Sequence, residues 1–195
     1  MLHVKHTDFE KNEKLKEYVA LIQKWQPKIN LVSNETVKEI WSRHIKDSAQ
    51  ILEYINDDET ISDLGSGGGL PGIVLAILNP TLKIKLVEID KRKCVFLNDV
   101  RIKLKLNIEV INQKIEQTDL KTDVVTARAL TEIENLLTIS VKNIKSDTRF
   151  ILLKGEKVEF ELAKASEKFS FEKEIHQSAT NASGRIVILR RVKCL

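Results

Sequence analysis

The sequence predicts an α/β protein whose main part is a doubly wound parallel sheet, preceded by an N-terminal helical extension. From about residue 60 onward, short β-branched runs alternate with helical stretches, which is typical of a parallel sheet covered by helices on both faces. Before that point the apolar residues recur at helical spacing and no strand pattern is present. We therefore divide the chain into the extension, residues 1–56, and the main domain, residues 57–195.

Two helices are predicted in the extension. The first ends before Pro27, and the second begins where Thr36 and Glu39 have the spacing of a capping box. The apolar residues that define the first are Leu15, Tyr18, Val19, Ile22 and Trp25, and those of the second are Val37, Ile40, Trp41, Ile45, Ala49, Leu52 and Ile55.

Seven strands are predicted in the main domain, with helices near 71–79, 91–106, 130–144 and 156–168 between most of them. The last two strands are joined by "HQSATNAS", which contains no helical pattern. We therefore expect an antiparallel hairpin at one edge of the sheet, so that the last strand is antiparallel to the others. The predicted strands are 60–64, 83–88, 108–112, 123–127, 149–153, 171–175 and 185–191.

The composition, with 42% hydrophobic and 31% charged residues, is that of a soluble globular protein. The first residues lack the apolar core of a signal peptide, and the longest apolar run, "IVLAIL", is too short to cross a bilayer. Cys94 and Cys194 show no metal-ligand spacing, and His3 and His6 have no acid or cysteine cluster beside them. We expect a cytoplasmic protein with no metal, no membrane association and no obligate protein partner.

The net charge of +4 is unevenly distributed. Residues 91–105 carry six basic side chains and one acid, Asp99, and the C-terminal "GRIVILRRVK" adds four basic residues. A local basic surface indicates a polyanionic partner such as a nucleic acid, although a solvated lysine-rich helix is an equally good interpretation of charge alone.

Five of the seven glycines lie between residues 65 and 72, directly after the first predicted strand. In such sheets ligands bind at the carboxyl ends of the strands. The segment "GGGLPG" matches the dinucleotide fingerprint G-x-G-x-x-G, but "DLGS" would then separate strand and fingerprint. Counted from the end of the strand, the pattern is Asp63-x-Gly65-x-Gly67-x-Gly69, with Gly67 where a ligand approaches and Gly72 already in the next helix.

Two acidic residues follow the first two strands. Glu88, after the second strand, is placed to accept hydrogen bonds from the ribose hydroxyls of a nucleoside. Asp63 favours a cationic ligand and would repel a pyrophosphate. Together they favour S-adenosylmethionine, a nucleoside with a sulfonium and no phosphate; a glycine-rich turn without a ligand is the alternative.

The chain resembles a known family in "DLGSGGGLPGIVLAI", "LVEIDKRKCVFL", "DVVTARAL", "LLKG", "WQPKINLVS" and "RHIKDS". These segments are similar to those of ribosomal RNA small subunit methyltransferase G, also called RsmG or GidB. The resemblance implies a class I, Rossmann-like methyltransferase that uses S-adenosylmethionine to methylate N7 of a specific guanine in 16S rRNA. Gln26 and Gly68 depart from the family pattern, and the change at Gln26 argues against a role for that position.

The resemblance also implies cofactor-binding residues. Gly65 and Leu70 match loop positions that contact the cofactor, Ile115 and Glu116 match a pair that flanks the adenine, and Arg128 matches a cofactor-contacting arginine. A surface salt bridge is the alternative role for Arg128.

The segment after the fourth strand, "TARALT", is consistent with this reaction class, because it contains no N/D-P-P-Y/F motif and no cysteine nucleophile. Guanine N7 carries no proton and needs no general base, so we assign no catalytic acid or base. The major groove of an A-form duplex is too deep and narrow for side chains, so the guanine should be unpaired. We expect the RNA to contact Lys93, Arg101 and Lys105, together with Arg185 and the following Arg190, Arg191 and Lys193.

Arg43, His44 and Asp47 form the "RHIKDS" element. We interpret Arg43 and Asp47 as an i,i+4 pair and His44 as a packing residue, with a role at the rim where RNA enters as the alternative. For the whole chain two other functions stay open: a non-catalytic RNA-binding or ribosome-assembly protein on a methyltransferase fold, and an NAD-dependent oxidoreductase.

Overall fold

A computed structural model describes residues 8–195 and contains one seven-stranded sheet. The strands are β1 (Thr60–Leu64), β2 (Lys83–Val87), β3 (Ile108–Ile111), β4 (Val124–Arg128), β5 (Arg149–Lys154), β6 (Phe169–Gln177) and β7 (Arg185–Cys194). Their order across the sheet is β3-β2-β1-β4-β5-β7-β6. β7 runs antiparallel to both β5 and β6, while the pairs from β3 to β5 are parallel. The predicted doubly wound sheet with an antiparallel last strand is confirmed.

In the described part of the chain, six α-helical segments accompany the sheet: α1 (Glu13–Trp25), α2 (Asp47–Ala49), α3 (Gly72–Leu78), α4 (Lys91–Lys103), α5 (Ile133–Ser140) and α6 (Val158–Ala165). Two of them begin at side-chain caps, which satisfy backbone N–H groups that the helix leaves unpaired. The Asn12 side chain accepts the Leu15 N–H before α1, and the Asp90 side chain accepts the Arg92 N–H before α4. Gly72 is the first residue of α3, as expected.

The second predicted helix of the extension is irregular instead of uniform. Two 3₁₀ segments, Val37–Glu39 and Gln50–Tyr54, enclose a π-helical turn, Trp41–Lys46, and the short α2. The predicted capping box at Thr36 is wrong, because the Thr36 hydroxyl makes no cap and lies 2.8 Å from Nε2 of His44. The hydroxyl donates instead to the carbonyl oxygen of Ser33 at 3.1 Å, a local bond of the kind that competes with regular helix geometry.

The core lies on both faces of the sheet, since alternate residues of β5 enter two different hydrophobic clusters. α1 and the irregular segment pack with α3 and α4 in the first cluster, where Tyr18, Ile45, Ile73 and Leu97 are buried. α5 and α6 cover the other face. The boundary between residues 56 and 57 stays a prediction, and both sides of it contribute to one cluster.

Within residues 8–195, no helix has the length and apolar character needed to cross a membrane. No group of three or more potential metal ligands comes together in that range, and His3 and His6 lie outside it.

Candidate functional site

The glycine loop connects β1 to α3 and forms the centre of the site. Gly69 has φ +87°, and a Cβ there would lie 2.4 Å from Cγ1 of Ile73, so a side chain is excluded. Gly67 has φ +55°, but a Cβ there would meet only the carbonyl oxygen of Gly65, at 3.7 Å. The loop is therefore closed towards the core at Gly69 and open at Gly67.

Two contacts from the extension hold this loop. The Tyr18 hydroxyl donates a 2.6 Å hydrogen bond to the carbonyl oxygen of Gly68. Burial raises the pKa of Tyr18 well above its usual value, so the hydroxyl stays protonated and can donate. The backbone of Leu31 lies so close that a Cβ on Gly68 would be 3.1 Å from its oxygen, which explains why Gly68 fits here.

Asp63 lies beneath the loop and is fully buried. Its Oδ2 accepts the Gly72 N–H at 3.1 Å, and its Oδ1 has no hydrogen-bond partner among residues 8–195. Burial raises the pKa of Asp63 to about 7, partly offset by the bond from Gly72. The side chain lines neither of the two cavities that flank the loop, so the structure places Asp63 as a support of the loop.

Glu88 follows β2 and is 7% exposed. Its Oε2 accepts the Gly67 N–H at 2.8 Å, and its Oε1 accepts the Asp90 N–H at 2.9 Å. The carboxylate therefore fixes the open part of the glycine loop. Each carboxylate oxygen can accept a further hydrogen bond, so the side chain can also bind a ligand hydroxyl.

A cavity of about 460 Å³, the smaller cavity, opens beside Glu88. Ile115 and Glu116, on a 3₁₀ turn after β3, form its far wall, and Gly65 and Lys93 also line it. The structure thus brings together the residues expected around the adenosine half of the cofactor. The volume and mixed lining are those of ordinary small-molecule sites.

A second cavity of about 620 Å³, the larger cavity, lies on the other side of the loop and shares Gly65, Lys93 and Ala129 with the first. Arg128, at the end of β4, lies in its wall. The guanidinium donates to the carbonyl oxygen of Arg43 at 3.1 Å, contacts Nδ1 of His44 at 2.8 Å, and lies 3.6 Å from the Asp47 carboxylate. Arg128 is therefore held by the irregular segment, inside the site.

His44 is only 6% exposed and links Arg128 to Thr36. Because a guanidinium can only donate, Nδ1 accepts from Arg128 and the proton lies on Nε2, which donates to the Thr36 hydroxyl. Burial, followed by the charges of Arg128 and Arg43, lowers the pKa of His44 to about 4. His44 is therefore an uncharged side chain that connects the extension to the wall of the larger cavity. From the sequence we had interpreted it as a packing residue.

Asp47 does not form the expected ion pair with Arg43. Its carboxylate accepts hydrogen bonds from Gln50 at 2.8 Å and from the Thr180 hydroxyl at 2.7 Å, in addition to its contact with Arg128. Gln50 also bonds to Ser178, in the loop between β6 and β7. The irregular segment therefore fixes two walls of the larger cavity at once.

Several wall residues of the larger cavity were not predicted from the sequence. Lys154, at the end of β5, pairs with Glu161 of α6 at 2.6 Å. The wall formed by residues 30–33 depends on Gln26, whose Oε1 accepts the N–H groups of Leu31 and Val32. The departure at Gln26 from the family pattern argued against a role for this position, and these hydrogen bonds give it a structural one. Further lining residues are Asn30, Ser33, Ser178 and Asn181.

The predicted RNA-binding residues occupy different places. Lys93 and Arg185 line the larger cavity, whereas Arg101 and Lys105 are exposed at the C-terminal end of α4. In the C-terminal tail, Arg190 pairs with Glu174 and Arg191 with Glu172 of β6. These cross-strand pairs neutralise two of the four basic residues that we had predicted from the sequence to contact RNA at the C-terminus.

A parallel sheet with an antiparallel last strand, a glycine loop after β1 and an acid after β2 define the class I, S-adenosylmethionine-dependent methyltransferase fold. The structure of the mitomycin 7-O-methyltransferase MmcR matches 96% of this chain and 70% of its own length, with a TM-score of 0.63 and 13% identity. M. jannaschii TYW2 in complex with AdoMet matches 87% of this chain and 80% of its own, with a TM-score of 0.60 and 16% identity. At these identities the likeness shows the fold.

The family model described as rRNA small subunit methyltransferase G matches residues 11–189. Ribosomal RNA small subunit methyltransferase G of Rickettsia prowazekii is 41% identical over 176 residues, which cover 90% of this chain and 91% of the relative. The protein of that name from Rickettsia felis is 40% identical over the same shares. The chain belongs to the rRNA small subunit methyltransferase G family, and the resemblance inferred from its motifs is confirmed.

Proposed function

We propose that the chain transfers a methyl group from S-adenosylmethionine to N7 of a specific guanine in 16S rRNA of the small ribosomal subunit. It acts in the cytoplasm, and its partner is the free rRNA or the subunit. The observation that supports this most strongly is the meeting of two cavities at one glycine loop in a member of this family. One cavity suits a nucleoside, and the other leaves room for the rest of the cofactor and an acceptor base.

The residues present fit the cofactor. When bound, S-adenosylmethionine supplies an electrophilic methyl group on a positively charged sulfur. Glu88 accepts hydrogen bonds from the ribose, and Ile115 and Glu116 enclose the adenine. Gly65, Gly67 and Leu70 line the contact surface of the loop, whose open face at Gly67 admits a ligand. Asp63 contributes by holding the loop through Gly72.

Arg128 orients the remaining part of the cofactor. Its guanidinium is fixed by three partners, at Arg43, His44 and Asp47, so little side-chain entropy is lost when it binds a ligand. Arg128 can donate further hydrogen bonds into the larger cavity, since a guanidinium has five N–H groups.

The chain's part in the reaction is positioning. Guanine N7 has an in-plane lone pair and no proton, so no residue has to act as a general base. Correct placement of two reactants is worth roughly 7–11 kcal/mol of the barrier. Lys93 and Arg185 at the cavity, and Arg101 and Lys105 outside it, bind phosphates of the RNA and bring an unpaired guanine to the larger cavity.

Methyl transfer to rRNA tests the proposal. Small subunits and protein-free 16S rRNA that lack the modification are incubated with the protein and S-adenosylmethionine carrying a labelled methyl group. N7 methylation makes the guanosine sensitive to borohydride and aniline, so we expect label and one new strand break together. The Glu88→Ala variant serves as the control with impaired cofactor binding.

Other outcomes distinguish the alternatives. Label without strand scission contradicts N7 as the acceptor. A protein that binds S-adenosylmethionine and rRNA but transfers no methyl group would favour the assembly function. Binding of NAD in place of S-adenosylmethionine would favour the oxidoreductase.

A further inference from the structure

An ion pair lies in the wall of the larger cavity, at the end of the sheet where β5 finishes. Nζ of Lys154 is 2.6 Å from Oε2 of Glu161, and the two side chains are 12% and 13% exposed. Both residues line the cavity that also contains Arg128 and the glycine loop. The pair thus faces the same space as the groups assigned to the cofactor.

The pair is rigidly held by its backbone neighbours. Lys154 Nζ also donates to the carbonyl oxygen of Thr131 at 2.9 Å, and Oε2 of Glu161 also accepts the Ile133 N–H at 3.0 Å. Both partners belong to the segment that follows β4. The pair therefore joins the end of β5, the segment after β4 and the middle of α6 in one fixed arrangement.

The pair has unused hydrogen-bonding capacity, and both of its residues line the cavity. An ammonium group has three N–H donors, of which Lys154 uses two in these contacts. Oε1 of Glu161 has no hydrogen-bond partner within residues 8–195, although Oε2 has two. A largely buried ion pair rarely adds net stability over apolar residues of similar size. A donor and an acceptor lying side by side in a cavity point to a ligand.

We propose that Lys154 and Glu161 read the Watson–Crick edge of the acceptor guanine. Guanine presents O6, an acceptor, next to N1–H, a donor, so Lys154 Nζ donates to O6 and Glu161 Oε1 accepts from N1–H. Adenine presents the reverse order, an amino donor next to an N1 acceptor, and meets two mismatched groups. A base held by this edge keeps N7 uncovered. This inference rests on the proposed function and adds the residues that select the base.

The test uses RNA substrates that differ only at the methylated nucleotide: guanosine, inosine or 2-aminopurine riboside. Inosine keeps O6 and N1–H and lacks the 2-amino group, whereas 2-aminopurine keeps N7 and lacks both recognised groups. We expect the wild type to methylate the guanosine and inosine RNAs similarly and the 2-aminopurine RNA at least about 10- to 150-fold less efficiently in kcat/KM, which is the effect of a single hydrogen bond to a charged group.

Glu161→Gln and Lys154→Met should lower kcat/KM for the guanosine RNA and leave the value for 2-aminopurine nearly unchanged, so that the preference collapses. The Kd for S-adenosylmethionine should not change. Lys164→Met is the matched control, since Lys164 lies on the same helix and pairs with Glu132 at the exposed surface. If the pair only stabilised the fold, its substitution would lower kcat/KM equally for the guanosine and 2-aminopurine RNAs. The melting temperature would fall as well.

The failures are distinguishable. If the wild type methylates guanosine at N7 and has a similar kcat/KM for the 2-aminopurine RNA, this inference is overturned and the proposed function stays intact. This outcome needs only the wild type, so it holds even when neither variant folds. Folded variants that keep the wild-type preference overturn it in the same way. A wild type that methylates none of the three RNAs overturns the proposed function and the inference with it.

Discussion

The two cavities that meet at the glycine loop are built in different ways. The residues that line the smaller one lie between positions 65 and 130, at or just after the carboxyl ends of β1, β2, β3 and β4. The larger one takes residues from 30 to 185, including the irregular segment, the end of β5 and the loop between β6 and β7. The smaller cavity is thus a product of the sheet topology, and the larger one depends on side-chain contacts between distant segments.

This difference separates what the fold class provides from what this chain adds. Glu88 and the loop glycines lie where any sheet of this topology binds a ligand. Arg128, His44 and Asp47 meet only because a π-helical turn directs the extension towards the end of β4. We expect changes near the smaller cavity to affect binding of the cofactor, and changes near the larger one to affect the acceptor base together with the remaining part of the cofactor.

The largest effect should come from Gly72→Ala, because it disturbs the loop that both cavities share. A Cβ at Gly72 would lie 2.4 Å from Cδ2 of Leu86 and 2.8 Å from Oδ2 of Asp63. Gly72 lies in α3, as the sequence predicted, but both contacts are in the core. We expect a loss of about 3 kcal/mol in the free energy of unfolding, the upper part of the range for overpacking.

Urea denaturation measures this loss. Gly155→Ala is the control, since a Cβ there would meet nothing within 4 Å, and it should change stability by less than about 0.5 kcal/mol. Equal midpoints for the two variants would contradict the packing described at Gly72.

Glu88→Ala should act on the smaller cavity and on the loop at Gly67, which lines the larger one. Loss of the carboxylate removes the ribose acceptor and also the acceptor of the Gly67 N–H. We expect S-adenosylmethionine to bind about 1.5–3 kcal/mol more weakly, the range for hydrogen bonds to a charged group, with RNA affinity unchanged. Titration calorimetry gives the cofactor Kd, and Glu109→Ala, on the exposed side of β3, is the control. An unchanged cofactor Kd would remove Glu88 from the site.

The pH dependence of stability should separate the loop from the larger cavity, because Asp63 and His44 act in opposite directions. The pKa of folded His44 is about 4, whereas the unfolded residue binds a proton below its ordinary pKa of 6.5, so stability falls as the pH falls through this window. The pKa of folded Asp63 is about 7, whereas the unfolded residue releases its proton near 3.8, so stability falls as the pH rises.

Single substitutions should uncover each contribution. Relative to wild type, His44→Gln should make stability fall more steeply as the pH rises from about 4.5 to 6.5, by up to about 1.4 kcal/mol per pH unit. Asp63→Asn should produce the opposite change in the same window. Urea denaturation at several pH values measures both slopes, and parallel curves for all three proteins would refute the assignment of the protons.

The smallest effect should come from the surface outside both cavities. Arg101→Ala with Lys105→Ala removes two exposed cations from the end of α4. If both contact phosphates, the slope of log affinity against log salt should fall by about 0.7–0.9 for each, without a change in the cofactor Kd. Arg190→Ala is the control, because Arg190 is already paired with Glu174. A slope that falls only in the control would move the RNA contact to the C-terminal strand.

The sequence predicted the elements that depend on local patterns. β1 was placed at its observed bounds, and the other strands within a few residues, because β-branched runs bounded by turn residues mark buried strands. The glycine loop and Glu88 follow from the same topology. The smaller cavity is therefore largely a consequence of strand order.

The larger cavity depends on contacts that no local pattern encodes. Thr36 has the spacing of a capping residue, yet its hydroxyl binds His44 eight residues later. Lys154 and Glu161 meet on different elements, and Arg190 and Arg191 look unpaired until β6 is placed beside β7. Such residues could be singled out by charge, but their partners become known only from the packing.

The hydrogen bond from Tyr18 to Gly68 has a further consequence, because it joins positions fifty residues apart. A ligand that binds the ordered loop stabilises every segment on which that order depends. Amide hydrogen exchange in α1 should therefore slow when a ligand occupies the loop, although α1 lines neither cavity. The N-terminal helix and the glycine loop then open and close as one cooperative unit, and exchange in α1 reports occupancy of cavities that the helix does not line.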